Sequence, residues 1–496
     1  MVPSRVSGRL GRIPSVSELK DFVTSKEADK KGKLVEKLLY DEKHTEEYAR
    51  NWTTIWTNVL IGRNGGNEER SLTSRAGMQK YLRDSFARDK PYDVMVLELV
   101  TATGTTTPGS PKFNGAANFY AMKVNEEKAS LATADTSRIF LGLQVQCTQC
   151  HNHPFNDWKQ QKFWEMNAYF RQTRALRKFV PGSRDVESVE LVNESFPGED
   201  TSSAEEAPIF YELRNGLTKV AYPVFVDGTE TSKSGYLEDV DRRTELGNLI
   251  VKSEYMDRAI VNRMWAHFLG YGFTKPIDDL GPHNAPTHPA LLQYLGEEFR
   301  KNSFKLKELI RWITLSEPYS LSSRGTSSNK IDDPLMGETP KFSHFYLRQM
   351  RAEELYESLL VATEAHKTRG SYEEQEKSKN DWLRQFTIAF GTDEGTEATT
   401  FNGTIPQALM MFNGDLVKKA TSAEKGSFLA NIAADNSMKP AQKITHLFLS
   451  GLARPPQTKE IDVANRLLLL RKGDTTAALQ DIWWAVLNSN EFIINH

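Results

Sequence analysis

Cysteine is almost absent. The 496 residues hold two, and they stand three positions apart, as Cys147 and Cys150. Such a pair cannot build a disulfide framework, and it excludes most zinc clusters, which need further cysteines. An excess of charge of one sign is also missing. Lys and Arg number 63 against 65 Asp and Glu, for a net charge of −2, so there is no bulk electrostatic case for nucleic acid. No apolar run approaches the roughly 18 residues of a membrane span. The opening residues, Met1-Val2-Pro3-Ser4-Arg5-Val6, lack the apolar stretch of a signal peptide. No repeat occurs at the periods of solenoids.

What is present reads as a globular chain. Hydrophobic residues make up 39 % and charged residues 26 %, an ordinary balance, and the length predicts two or three domains. Ser15-Val16-Ser17-Glu18 has capping-box form ahead of Leu19 and Phe22. Leu34, Val35, Leu38 and Leu39, and then Trp52, Ile55, Trp56 and Val59, recur at helical spacing, and the tryptophans read as core. Phe86 to Leu99 predicts a helix interrupted at Pro91, residues 101–118 a long loop, and Ser137 to Leu143 a helix leading into the cysteines. Ser195 to Pro208 reads as an acidic, solvated linker. Val220 to Val226 predicts short strands. Helices resume after Asp241, with Thr287 as an N-cap and Pro289 in the first turn. The expected fold class is mainly α: a helical domain over 1–180, a linker and small β-containing insert over 181–240, and a second helical domain over 241–496.

The chemistry concentrates in Cys147-Thr148-Gln149-Cys150-His151-Asn152-His153-Pro154-Phe155. Cys-x-x-Cys-His is the spacing that attaches a c-type haem, with two thioethers to the porphyrin and the adjacent imidazole on the iron. On this reading Cys147, Cys150 and His151 bind the cofactor. A ligand to the opposite face would come from elsewhere, with Met122, Met166, His267, His283 and His288 as candidates. Covalent haem attachment takes place outside the cytoplasm, so this reading expects an export leader that the sequence does not display, and hence an N-terminally shortened chain.

A bare zinc or iron ion is the alternative. It would use Cys147, Cys150 and one of His151 or His153, closed by a distant residue such as His288. A dithiol–disulfide pair is a third reading, although Cys-x-x-Cys of that kind sits in βαβ surroundings and these read as helical. A His-Asn-His nuclease would need a second cysteine pair and an upstream histidine segment, and the only upstream histidine is His44. Asp278-Asp279 is a weaker candidate for acid–base work, since adjacent carboxylates point apart.

Both halves resemble a paired architecture of planctomycetes and related bacteria: a cytochrome-type domain of unknown function followed by a companion domain, also of unknown function. In the first half the resemblance rests on Gly11-Arg12-Ile13-Pro14-Ser15, Tyr48-Ala49-Arg50-Asn51-Trp52, Asp89-Lys90-Pro91-Tyr92-Asp93, and the run from Gln146 to Phe155 followed by Trp158. In the second it rests on Val261-Asn262-Arg263-Met264-Trp265, Asn284-Ala285-Pro286-Thr287-His288-Pro289, Arg454-Pro455-Pro456 and Leu487-Asn488-Ser489-Asn490-Glu491-Phe492. The resemblance implies an exported, periplasmic protein with haem chemistry or electron transfer, and a partner cytochrome c or other redox protein. The helix that precedes Gly-Arg-Ile-Pro in such proteins is shortened here, and the linker between the halves matches least.

Overall fold

In the computed structural model, residues 8–68, 71–125, 127–155, 158–184, 186–198, 203–367, 371–391 and 404–495 are described. Helix accounts for 55 % and strand for 7 %, with twenty α-helices among the described residues. The protein is mainly α with small sheets, as the periodicity predicts.

Local signals account for most helix boundaries. Ser15 caps Val16–Thr24: its hydroxyl accepts from the Glu18 N–H, and Glu18 Oε2 accepts from the Ser15 N–H at 2.8 Å. The stripe of Lys30–Tyr40 buries Val35, Leu38 and Leu39, and Thr45–Ile61 buries Trp52 and Trp56 to 1 % exposure. The helix expected over Phe86 to Leu99 is two helices, Arg75–Ala87 and Tyr92–Thr101. Pro91 stands at the N-cap of the second, where its missing N–H costs nothing. The helix before the cysteines starts earlier than expected, at Ser130, and ends at Leu141. Gly142 stops it in the left-handed region, with φ 65°.

The expected loop at 101–118 is partly ordered into sheet. Gly104–Thr105 (β1) lies on the edge of Val186–Asn193 (β3), which also pairs with Thr173–Phe179 (β2), giving an antiparallel sheet in the order β1-β3-β2. The registers Gly104↔Leu191 and Ala175↔Leu191 place Leu191 at its centre, fully buried. Ile209–Glu212 (β4) and Thr218–Ala221 (β5) form a hairpin. Strands therefore occur where an insert was expected, although the first sheet begins before residue 181 and recruits β1 from the first third.

The Ser195–Pro208 stretch, outside its undescribed residues 199–202, exposes Ser195, Pro197, Ser203, Glu205 and Glu206 but is anchored to the fold at several points. Phe196 and Ala207 are buried, and the Phe196 N–H donates to the Gly235 carbonyl at 2.8 Å. The reason is Arg242. This side chain is fully buried and donates to the carbonyls of Ala168, Glu206, Ala207, Lys233 and Ser234, pinning both ends of the insert to the helix Gln160–Asn167 and its continuation.

The buried side chains form two cores. The first runs from Leu10 to Tyr346 and passes without a break from the N-terminal helices into Arg242–Lys252, Glu254–Leu269, Pro289–Lys301 and Leu306–Leu315. The second runs from Met350 to Ile493 and takes in Ile13 from the other end of the chain. A two-stranded sheet, Arg348–Gln349 (β6) with Ile494–Asn495 (β7), closes the second core by pairing its start with the C-terminus. Packing thus divides the chain near residues 347–350, about a hundred residues after the composition changes.

Candidate functional site

Cys147 and Cys150 lie on one turn. Gln146–Gln149 is a single 3-10 turn, and both cysteines are exposed, unbridged thiols. The residue between them that faces inward is Thr148, fully buried, with its hydroxyl donating to the Val145 carbonyl at 2.6 Å. The helix Gln160–Asn167 holds the turn from beneath. Gln160 Nε2 donates to the Gln149 carbonyl at 3.0 Å and to the Glu212 carbonyl at 3.0 Å, tying the turn to β4. Trp164 Nε1 donates to the same Gln149 carbonyl at 3.1 Å. Asn152 Oδ1 accepts from the Gln160 N–H at 3.0 Å, and the His153 N–H donates to the Trp158 carbonyl at 2.8 Å. The inward groups are all engaged with the scaffold, and the two thiols face solvent.

The two histidines of the motif have opposite hydrogen-bond roles. His151 Nδ1 stands 2.7 Å from the Asn152 carbonyl. A carbonyl only accepts, so this nitrogen carries the proton, and in the neutral ring Nε2 carries the lone pair. His153 Nδ1 accepts from the Phe155 N–H at 3.2 Å. A backbone N–H only donates, so the neutral His153 ring carries its proton on Nε2. His151 thus presents an electron pair at Nε2, and His153 presents a donor. Burial, followed by the neighbouring His283, holds the His153 pKa below the usual histidine value.

A loop from the second half packs against the motif. The Leu280 N–H donates to the Gly142 carbonyl at 2.7 Å. Asp278, buried, accepts from Gln144 Nε2 at 2.6 Å and pairs with Arg138 at 3.2 Å. Asp279 instead engages His283 Nε2 at 2.9 Å. The two adjacent carboxylates serve different partners. This arrangement brings His283 to His153, with ring centroids 5.1 Å apart.

The other candidates lie elsewhere. His288 is the N-cap position of Pro289–Lys301, where Thr287 was expected, and its ring packs on Phe342 and Phe273 at 5.5 and 6.1 Å. Thr287 does not cap, because its hydroxyl is engaged with His288 Nδ1 at 2.8 Å. Met166 is buried in the first core, Met122 Sδ meets the Ser71 hydroxyl at 3.0 Å, and His267 is packed on Trp52 with ring centroids 5.1 Å apart. His44 is buried and meets Glu47 at 3.3 Å. Among the described residues no three His, Cys, Asp or Glu side chains converge as a group able to hold a metal ion, so His151, His153 and His288 do not form one.

Sequence reasoning missed Gln160 and Trp164. The available signal was a polar Gln at the start of an otherwise apolar face, Gln160, Phe163, Trp164. The donor set of the turn fits a covalently attached haem: two free thiols on one turn and one imidazole whose tautomer leaves Nε2 open.

This is a helical protein with a Cys-x-x-Cys-His turn strapped to its first core. Residues 5–175 match the family PSCyt2, a protein of unknown function (DUF1549), and residues 242–468 match the family PSD1, a protein of unknown function (DUF1553), in that order. No curated protein and no solved structure matches the chain. Among the described residues no helix is long and apolar enough to cross a membrane.

Proposed function

We propose that the protein binds one c-type haem and serves as an exported redox protein of the planctomycete cytochrome-type group, either passing electrons to a partner cytochrome c or other redox protein, or oxidising or reducing a small or carbohydrate-derived substrate. Cys147 and Cys150 would hold the haem through thioethers, and His151 Nε2 would be the axial ligand. The bound group supplies one-electron redox chemistry. The protein's own part is positional: Gln160, Trp164 and Asn152 hold the turn, and the Asn152 carbonyl fixes the His151 tautomer and raises its basicity.

The observation that carries this reading is the pairing of two exposed, unbridged thiols with an imidazole whose Nδ1 is already committed to a carbonyl. A bare zinc or iron ion at the same cluster is the alternative, and the proton on His153 Nε2 supports it less.

The test is to express the chain behind an export signal in a host that matures c-type cytochromes. Intact mass is expected to rise by one haem, and the reduced spectrum to show a Soret band and a sharp α-band. Stoichiometric zinc or iron without porphyrin would establish the alternative instead.

A further inference from the structure

One helix of the second core turns its apolar side outward. Ile405–Asn413 reads Ile-Pro-Gln-Ala-Leu-Met-Met-Phe-Asn and carries no charged side chain. Its start is set locally. The Thr404 hydroxyl accepts from the Gln407 N–H at 3.4 Å, and Gln407 Oε1 accepts from the Thr404 N–H at 3.1 Å. Of its residues, Gln407 and Met411 are the buried ones. Ile405, Leu409 and Phe412 stand at i, i+4 and i+7, on one face, and are 77, 56 and 49 % exposed. Trp484, on the helix Thr475–Leu487, extends this face. Its ring lies 5.5 Å from that of Phe412, and it is 41 % exposed.

A surface helix normally turns charged and polar residues outward. Single exposed apolar residues are ordinary, whereas contiguous ones mark an interaction site. At roughly 150–250 Å² for a large side chain, these four residues expose about 400 Å² of contiguous apolar surface. That matches the apolar share, a little over half, of the ~800 Å² that each partner buries in a standard interface.

The same face is complementary to itself. A two-fold axis through Leu409 sets the helix antiparallel to its copy. Leu409 lies about 6 Å along the helix from Ile405 and about 4.5 Å from Phe412, at 1.5 Å per residue. Ile405 therefore meets the partner's Phe412, and Leu409 meets the partner's Leu409. A two-fold contact brings each charge near the axis toward its own like, and this face has none to repel. The helix itself is neutral, and Asp481, the one charged residue of Thr475–Leu487, is paired with Arg471 at 2.8 Å. A partner recognised by charge finds no handle here, while a second copy offers the same neutral, apolar surface.

We infer that the chain forms a two-fold dimer through Ile405, Leu409, Phe412 and Trp484. The contact is independent of the Cys-x-x-Cys-His turn and stands whether or not that turn carries haem.

Analytical ultracentrifugation of the full chain tests this. The wild type is expected as a dimer at ~50 μM, above the micromolar end of the range for interfaces of this size. Leu409→Glu and Leu409→Lys each set like charges against one another across the axis, and each alone is expected to weaken the dimer at least about tenfold. Mixing the two variants sets opposite charges across the axis and is expected to restore a dimer that neither forms alone. Ile405→Glu is a second check: an acidic group in the first turn favours the helix, so loss of the dimer there is not loss of the helix. Ile331→Glu changes another exposed apolar residue, outside this face, and is expected to leave the dimer intact. Circular dichroism checks that every variant folds. The inference is overturned if the wild type is a monomer at ~50 μM, if Leu409→Glu or Ile405→Glu dimerises like the wild type, if the mixed variants stay monomeric, or if Ile331→Glu weakens the dimer as much as Leu409→Glu.

Discussion

His151 and His153 stand two positions apart and carry their ring proton on different nitrogens. The Asn152 carbonyl puts the proton of His151 on Nδ1, and the Phe155 N–H puts that of His153 on Nε2. Side chains of the same type therefore play different parts. In the exported, haem-loaded protein, His151→Ala is expected to retain covalent haem but lose the native Soret and α-band positions. His153→Ala is expected to leave both bands in place. Absorption spectra of the two variants decide this, and a spectral change in His153→Ala as large as that in His151→Ala would reverse the assignment. The distinction was not legible in the sequence. Cys-x-x-Cys-His-x-His names both imidazoles, and only the backbone path of residues 151–155 decides which ring nitrogen each presents.

Two elements carry more than their length suggests. The helix Gln160–Asn167 holds the motif through Gln160 and Trp164, both donating to the Gln149 carbonyl. Gln160→Ala removes the side-chain amide that donates to the Gln149 and Glu212 carbonyls and is expected to cost about 1–3 kcal/mol, read from urea unfolding. Hydrogen exchange at the amides around Cys147 to His153 should rise with it. The insert depends on Arg242 in the same way. Replacing it with Met strips five backbone carbonyls of their donor and is expected to cost about 3 kcal/mol or more, with faster proteolysis within 195–240 as the local readout. Burial, followed by the neighbouring Arg171 cation, pushes the Arg242 pKa down to about 10, so the guanidinium stays charged at neutral pH. Residues 195–208 looked like a linker because their composition is acidic and small. Their anchor lies beyond the segment itself, at position 242.

On the scale of the whole molecule, the two cores meet along the helix Thr45–Ile61. Arg63 pairs with Glu353 at 2.9 Å and Arg50 with Glu357 at 3.2 Å, while the Ile13 N–H donates to the Ser358 hydroxyl at 3.1 Å. His267 lies at this junction, with its ring on Trp52. Burial, then the cations Arg351 and Arg348, push its pKa from 6.5 down to about 3. The unfolded chain therefore takes up a proton below pH 6.5 that the folded chain refuses. His267 contributes its stability fully above that value and loses it progressively as the pH falls toward 3, by about 1.4 kcal/mol per unit. The melting temperature is expected to fall between about pH 7 and pH 5, and His267→Leu should flatten that slope. An unchanged slope in the variant would remove His267 from the account. Glu47 acts at lower pH. Burial opposes its ionisation, but hydrogen bonds from His44 and Arg12 prevail and hold its pKa at about 2, so its contribution is present above the usual carboxylate value and is lost as the pH falls toward 2.

The sequence by itself determined what is local or contiguous. Helical class followed from apolar spacing, the first cap from Ser15 and Glu18, the interruption at Pro91 from the missing N–H, and the proposal of haem attachment from five adjacent residues. Tertiary structure decided everything that depends on two distant segments meeting: β1 pairing with residues 190–191, His283 rather than His288 arriving beside His153, and a core that passes residue 241 and ends near 347. Spacing constrains a chain only over the few residues that one turn or one strand spans, while each of these contacts is set by the packing of elements far apart in the sequence.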